Sequence, residues 1–131
     1  MVSSRCLLDS HAFLFAAVAP EKLTKSTRDL LQSEQTEIYV SVATIWELLI
    51  KAHKGKLDLG DDPADELKLY CRKLRINLLP VMAEHAYRMV VLDSIHKDPF
   101  DRMLVAQAKY EEMSLVTRDS KVRQYGVRAI W

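Results

Sequence analysis

Short apolar runs alternate along this chain with segments in which apolar residues recur at helical spacing. The runs predict β-strands at residues 5–8, 38–42, 76–81, 115–117 and 127–130. The helical segments predict helices at residues 12–18, 26–33, 44–53, 63–75, 83–92, 99–111 and 120–125. Because strands and helices alternate, the pattern predicts an α/β fold with a mostly parallel sheet.

The composition is that of an ordinary globular protein. The 131 residues suit a single domain, residues 1–131, and 49% of them are hydrophobic, which is enough for a core. Lysine and arginine number 19 against 18 aspartate and glutamate, so any nucleic-acid binding must come from local placement of charge. Cys6 and Cys71 form no metal-binding pattern and stand among apolar residues, which predicts buried free thiols.

One stretch near the amino terminus weakly imitates a signal peptide, because Arg5 precedes an apolar run at residues 12–19. Asp9 and His11 interrupt the apolar region, and the run is much shorter than the ~20 residues that a membrane span needs. We therefore expect a cytoplasmic protein with no membrane partner.

Acidic residues follow strands or open helices at five places, namely Asp9, Glu47, Asp98, Asp101 and Asp119. In open α/β sheets, ligands bind beyond the carboxyl ends of the strands, so we expect these acids at one edge of the sheet. Two carboxylates 4 Å apart repel by ~4 kcal/mol at an effective dielectric constant near 20, so such a cluster needs a cation. Oxygen ligands suit Mg²⁺ or Mn²⁺ better than Zn²⁺.

Helix capping offers a structural alternative for most of these acids. Thr44 and Glu47 fit a capping box, Asp98 precedes a first-turn proline, and Asp119 can cap the helix at 120–125. Asp9 has no capping role that the sequence clearly requires. A non-catalytic interaction module therefore stays open as an alternative to a metal-dependent enzyme.

Other enzyme classes fit less well. A haloacid-dehalogenase-like phosphatase needs a second aspartate where this chain has His11. A response-regulator receiver needs a paired acid early in the chain and a lysine after a late strand, and neither is evident. The chain contains three glycines, and they form neither a phosphate-binding P-loop nor a glycine-rich nucleophile elbow.

Four segments together resemble a known family. They are the L-L-D-S-H stretch at 7–11, W-E-L at 46–48, H-K-D-P-F-D-R-M-L-V-A-Q-A at 96–108, and L-V-T-R-D at 115–119. In this order they resemble the PIN domain of VapC toxins, the ribonucleases of type II toxin–antitoxin systems. The resemblance runs from residue 5 to about residue 130, and the D-P-F-D-R stretch is its most specific part. Ser10 is a small departure, because the family more often has threonine there.

The resemblance implies a three-layer α/β/α sandwich in which Asp9, Glu47 and Asp101 bind metal and Asp119 completes the acidic set. Asp98 is either a further catalytic acid or a helix cap. Ser10 and Thr117 are expected to orient neighbouring carboxylates through hydrogen bonds.

The implied activity is endoribonuclease activity, in which a Mg²⁺-activated water hydrolyses an RNA phosphodiester and Mn²⁺ can substitute. The implied partners are RNA, a cognate VapB-like antitoxin that blocks the active site, and a second copy of the chain in a homodimer. A housekeeping RNA-processing PIN nuclease is the main alternative to a toxin.

Local basic groups are candidates for RNA contacts, although a solvated charged face explains them equally well. They are Lys51, His53, Lys54, Lys56, Arg102, Arg118, Lys121 and Arg123. His11, two residues from Asp9, is expected to contact substrate. The remaining histidines, His53, His85 and His96, are expected at the surface or in packing, and the aromatic residues Trp46, Phe13 and Phe15 in the core. Apolar residues on the helices around Leu30, Leu67 and Tyr70 fit either an interface or the core, because periodicity alone does not separate the two.

Overall fold

The structure is a computed structural model that describes residues 4–131, so residues 1–3 of the predicted domain lie outside it. Its strands are β1 (Ser4–Leu8), β2 (Thr36–Ser41), β3 (Asn77–Leu79), β4 (Ser114–Val116) and β5 (Ala129–Ile130). Its helices are α1 (Ser10–Val18), α2 (Lys25–Gln32), α3 (Val42–His53), α4 (Pro63–Lys73), α5 (Ala83–Val90), α6 (Pro99–Glu111) and α7 (Ser120–Arg123). A 3-10 turn covers Pro20–Lys22.

The five strands form one sheet in the order β3-β2-β1-β4-β5, and every pair is parallel. The predicted α/β fold with a parallel sheet is confirmed. Strand β1 is central, with Leu8 in register with Val40 on one side and Val116 on the other. The chain first builds outward through β2 and β3 and then returns to add β4 on the other side of β1. The strand order therefore reverses between β1 and β4, and ligands bind at this point in open sheets.

Apolar side chains cover both faces of the sheet, which explains why the buried part of the central strand, Cys6-Leu7-Leu8, has no polar residue. Leu7 belongs to one buried cluster, with Leu104 of α6 and Leu115 of β4. Leu8 points to the opposite face and joins a second cluster with Phe13 of α1 and Leu48 of α3. Helices on both faces give the three layers.

Two helices begin a few residues earlier in the structure than the sequence predicts. Helix α1 begins at Ser10 because the Asp9 carboxylate caps it. Helix α3 begins at Val42, and the Ser41 hydroxyl accepts the Ala43 N–H at 3.0 Å. Glu47 therefore lies in the second turn of α3, and the expected capping box with Thr44 is wrong.

Burial decides several other expectations. Both thiols are free, as predicted, and Cys6 is buried, whereas Cys71 is only half-buried. Leu67 is buried in the cluster around Leu8, and Leu30 and Tyr70 pack against that cluster, so the structure places these residues in the core and not at an interface. Trp46 was expected in the core, yet 62% of it is exposed. Among residues 4–131, no helix has the length and apolar character needed to span a membrane.

Candidate active site

An open cleft of about 380 Å³ lies at the carboxyl ends of β1 and β4, where the strand order reverses. It is lined by Asp9, Ser10, His11, Glu47, Lys51, Asp98, Asp101, Arg118 and Asp119. The cleft thus brings together all five acids that the sequence singles out, from segments as far apart as residues 9 and 119. We call it the acidic cleft.

Asp9 follows β1 directly and is buried. Its Oδ1 accepts the Ala12 N–H at 2.8 Å and so caps α1, a role that the sequence analysis did not assign to it. Burial raises the pKa of Asp9, while hydrogen bonds from the Ala12 N–H and the Thr117 hydroxyl oppose the rise. The capping bond uses one oxygen, so the carboxylate both starts the helix and faces the cleft.

Asp119 follows β4 and caps α7, with Oδ1 accepting the Lys121 N–H at 2.8 Å. Its backbone N–H donates to the Thr117 Oγ1 at 3.1 Å, so Thr117 links Asp119 to Asp9. Burial acts to raise the pKa of Asp119, but hydrogen bonds from His96 and the backbone outweigh it and leave the pKa below its usual value.

Asp98 and Asp101 open helix α6. Asp98 Oδ1 accepts the N–H groups of Phe100 at 2.8 Å and Asp101 at 3.4 Å, so Asp98 caps the helix as the structural alternative expected. Burial raises the pKa of Asp101 to about 7, and the charges of Asp98, Glu47 and Asp9 add to the rise against the opposing effect of His96. The elevated pKa records the cost of an additional negative charge in this cleft.

Glu47 reaches the cleft from helix α3 and is buried. Its Oε2 accepts a hydrogen bond from the Lys51 ammonium, one helical turn later, at 3.1 Å. Because Glu47 lies in the second turn, it satisfies no backbone donor at the start of the helix. A buried acid without a capping role is costly unless something cationic faces it.

His96 is a residue of this cluster that the sequence analysis misplaced as a surface or packing residue. Its Nε2 lies 2.9 Å from Asp119 Oδ2 and 3.2 Å from Asp101 Oδ2. Its Nδ1 accepts the Asp98 N–H at 3.0 Å, so Nδ1 carries no proton and Nε2 is the donor. The only signal in the sequence was its position two residues before Asp98, which permits this local bond.

His96, Asp101 and Asp119 each offer an atom within 4.8 Å of the other two, which is compact enough to surround one ion. The Nε2 of His96, however, carries a hydrogen in this arrangement and cannot ligate a metal through the same atom. We therefore assign the ligand role to the carboxylates and treat His96 as a residue that positions them.

Two predicted substrate contacts differ in their surroundings. Arg118 lines the cleft, with its guanidinium 5.4 Å from the centre of the Phe15 ring. Arg102 does not line it, because its guanidinium donates to the carbonyls of Asp93 at 2.8 Å and Met89 at 3.0 Å. These bonds hold the segment before α6 in place, so we assign Arg102 a structural role.

Comparison with known proteins identifies the family. The PIN domain model matches residues 6–127, so the chain belongs to the PIN domain family. PIN domains are in general metal-dependent nucleases. A search of curated proteins gives no match.

Solved structures share this fold. VapBC2 from Rickettsia felis bound to a promoter DNA fragment has a TM-score of 0.73 at 15% identity, covering 96% of this chain and 97% of that one. FitAcB from Neisseria gonorrhoeae has a TM-score of 0.66 at 21% identity, covering 96% of each chain. A toxin–antitoxin complex from Klebsiella pneumoniae has a TM-score of 0.65 at 16% identity, also covering 96% of each chain.

The raised pKa of Asp101 predicts a pH-dependent loss of stability in the metal-free protein. Because the folded-state pKa is about 7 and the ordinary value is 3.8, folding takes up a proton between these pH values. Stability therefore falls as pH rises through this window. Asp101→Asn removes the penalty while keeping the size of the side chain and a polar oxygen near the His96 ring. We expect the variant to match wild type near pH ~4 and to exceed it above pH ~7 by on the order of 1–4 kcal/mol.

Urea unfolding in EDTA across this pH range measures the difference. Asp29→Asn is the control, because Asp29 is an exposed acid on α2 that pairs only with Lys25 at 2.8 Å. A parallel pH profile for wild type and Asp101→Asn contradicts the assignment.

The hydrogen bonds of His96 predict that it stabilises the metal-free cleft. His96→Ala removes the donor to Asp119 and the ring that lies 3.2 Å from Asp101, and a hydrogen bond to a charged group contributes about 1.5–3 kcal/mol. We expect a loss of this size in EDTA and partial recovery in His96→Gln, whose amide N–H reaches a similar distance. His53→Ala, at an exposed position in the last turn of α3, is the control. Equal denaturant midpoints for His96→Ala and His53→Ala contradict the role.

Proposed function

We propose that this protein is a metal-dependent endoribonuclease and the toxin of a type II toxin–antitoxin pair. The observation that best supports the nuclease is that four acids from four separate segments of the chain line one cleft. They are Asp9, Glu47, Asp101 and Asp119. Burial raises the pKa of Asp101 to about 7, and the charges of Asp98, Glu47 and Asp9 contribute to the rise. Acids that are held close together in a cleft despite their mutual repulsion are typical of a functional site.

The donor set fits Mg²⁺, for which Mn²⁺ can substitute, because every proposed ligand atom is a carboxylate oxygen. We assign Asp9, Glu47 and Asp101 as direct ligands and Asp119 as the acid that completes the set. Asp98 has a different role, because its Oδ1 is engaged by backbone N–H groups. It caps α6, and its charge raises the pKa of Asp101.

A bound divalent ion supplies water activation and neutralises charge on the phosphate. The protein's own contribution is to hold the carboxylates in one geometry. The Thr117 hydroxyl donates to Asp9 and accepts the Asp119 N–H, while the His96 Nε2–H donates to Asp119 and lies 3.2 Å from Asp101. Both therefore orient the ligands.

We assign Ser10, His11 and Arg118 to the substrate side of the site, because all three line the acidic cleft. Arg118 is exposed, and its guanidinium lies 5.6 Å from the centre of the Trp131 ring. A positive charge at this rim suits a phosphate of RNA. Ser10 stands at the first position of α1, directly after Asp9, where its hydroxyl is able to reach the same carboxylate region.

The toxin role is supported by the fold shared with toxin–antitoxin complexes. It is also supported by an apolar groove of about 420 Å³ between α3 and α6, lined by residues such as Val42, Trp46, Val81 and Met103. Its wall includes Phe100, two residues from the acid Asp98, so an occupant of the groove lies beside the acidic cleft. We propose that a VapB-like antitoxin segment binds there and blocks the site.

A homodimer is the further partner that we propose. Helix α5 and the residue after it expose Tyr87 at 69%, Val90 at 73% and Val91 at 80%. Large apolar residues grouped on one surface are typical of an interface. Sedimentation equilibrium of wild type and Val90→Glu tests this assignment, and a wild-type monomer at working concentration contradicts it.

Cleavage assays test the nuclease directly. Purified protein is incubated with a panel of structured RNAs in EDTA, Mg²⁺ or Mn²⁺. We expect metal-dependent cleavage by wild type and a loss of about 10²-fold or more in Asp9→Asn, Glu47→Gln and Asp101→Asn, because each removes a ligand charge. Asp58→Asn, an exposed acid in the loop after α3, is expected to cleave like wild type.

Two outcomes argue against the proposal. Cleavage that persists in EDTA excludes the metal site as its source. Full activity in both Asp9→Asn and Asp101→Asn removes the acidic cleft from the chemistry. Asp98→Asn keeps a capping oxygen, so retained activity in this variant supports the cap assignment.

Growth of a bacterial host tests the toxin role. Induced wild-type protein is expected to stop growth, whereas Asp9→Asn is tolerated. Co-expression of a cognate VapB-like antitoxin is expected to restore growth and to fail with Trp46→Glu, which places a charge in the apolar groove. Uninhibited growth with active, well-expressed wild type favours a housekeeping nuclease.

A further inference from the structure

A second cleft, of about 410 Å³, adjoins the acidic cleft and carries the opposite charge. Four lysines line it, namely Lys51, Lys54, Lys56 and Lys97, together with the aromatic ring of Phe100. We call it the basic cleft. It shares Glu47, Lys51 and Asp98 with the acidic cleft, so the two form one continuous surface. A chain bound across the acidic cleft continues into the basic one.

The end of helix α3 explains how two of these lysines come to flank one cleft. Gly55 has φ of +73°, a conformation that favours glycine, and it ends the helix. The Lys56 N–H then bonds back to the Lys51 carbonyl at 2.9 Å, as in a Schellman motif. The chain therefore reverses direction between Lys54 and Lys56, which keeps both side chains near the cleft.

Three of the four lysines carry uncompensated charge. Lys51 pairs with Glu47 at 3.1 Å. Lys54, Lys56 and Lys97 are exposed, and none of them forms an ion pair with any residue between 4 and 131. In a protein of net charge +1, three free ammonium groups beside an acidic cluster mark a local anion site.

An aromatic surface accompanies the lysines. Phe100 is half-buried in the wall of the basic cleft, and the exposed Trp46 ring meets it edge to face with centroids 5.5 Å apart. Aromatic faces stack on unpaired bases, whereas the bases of a duplex are already stacked on each other. Lysines with an adjacent aromatic ring are the combination that binds single strands.

We infer that Lys54, Lys56, Lys97 and Phe100 bind an unpaired stretch of RNA next to the cleavage site. The lysines bind its phosphates, and Phe100 stacks on a base. The inference rests on the proposed nuclease function, because that function places the scissile phosphate in the acidic cleft. It adds the direction in which the strand leaves the cleft, toward the end of α3, and a requirement that this stretch be unpaired.

Salt dependence of binding tests the lysines. A fluorescein-labelled uridine oligonucleotide of about 12 residues is titrated with full-length protein in EDTA, which prevents metal-dependent cleavage, at several salt concentrations. We expect Lys54→Ala, Lys56→Ala and Lys97→Ala each to reduce the slope of log K against log salt by about 0.7. The control is Lys109→Ala. Lys109 is an exposed residue in the last turn of α6, near the amino end of β4 and so at the end of the strands away from both clefts, and the slope of this variant is expected to match wild type.

Phe100→Leu tests the aromatic contact. We expect it to weaken binding of the uridine oligonucleotide roughly tenfold or more, with no change in the salt slope and no change for a duplex RNA of the same length. Thermal unfolding of each variant checks that the fold is intact. If Phe100→Leu unfolds, Trp46→Leu provides the second variant, because Trp46 is largely exposed and contacts the same ring.

Two results overturn the inference. One is a salt slope in the three lysine variants equal to that of Lys109→Ala. The other is equal competition by polyglutamate, which indicates a general anion site.

Mg²⁺-dependent cleavage by the same preparations separates this inference from the proposed function. Wild type that binds RNA in the predicted way but never cleaves refutes the nuclease alone, whereas cleavage with unchanged KM in all three lysine variants refutes the basic cleft alone.

Discussion

The repulsion between carboxylates at the carboxyl ends of β1 and β4 is the constraint on which the rest of this site depends. Five acids face one cleft, and the burial of Asp9 and Glu47 reduces the screening of their charges by water. The protein tolerates this because most of the acids have hydrogen-bond donors of their own. Asp9, Asp98 and Asp119 each cap a helix, so helix N-termini supply N–H groups and positive dipole ends. Asp101 lies in the first turn of α6 but caps no helix, and its pKa rises to about 7.

Helix capping and metal binding are thus compatible roles for the same side chain. A capping carboxylate uses one oxygen on a backbone N–H, as Asp9 does toward Ala12 at 2.8 Å, and leaves its second oxygen available. The cap also fixes the side chain relative to a rigid helix, which is what a preorganised site requires. A capping role therefore does not exclude a functional one for Asp119, for which the sequence offered capping as the alternative, or for Asp9, whose cap only the structure reveals.

The sequence predicted most of the fold and the principal acids of the cleft, and it missed what depends on distant contacts. Periodicity and apolar runs are local, so every predicted strand and helix is present, with shifts of a few residues at the ends. His96 was missed because its partners Asp101 and Asp119 lie 5 and 23 residues away, and no local pattern reports that distance. Trp46 was misplaced because its apolar character favoured burial, whereas its helix face is exposed.

The sequence by itself determined the alternation of strands and helices, the acids at the strand ends and the family resemblance, because these follow from residue types and short spacings. Only the tertiary structure decided that β4 pairs with β1, which brings Asp119 beside Asp9 and creates the cleft. It also decided that Arg102 donates to backbone carbonyls instead of lining the acidic cleft. The lysines after α3 line the basic cleft beside it, which is likewise a result of the tertiary structure. The physical reason is that strand order and side-chain partners depend on packing between segments far apart in the chain, which residue types and short spacings leave unspecified.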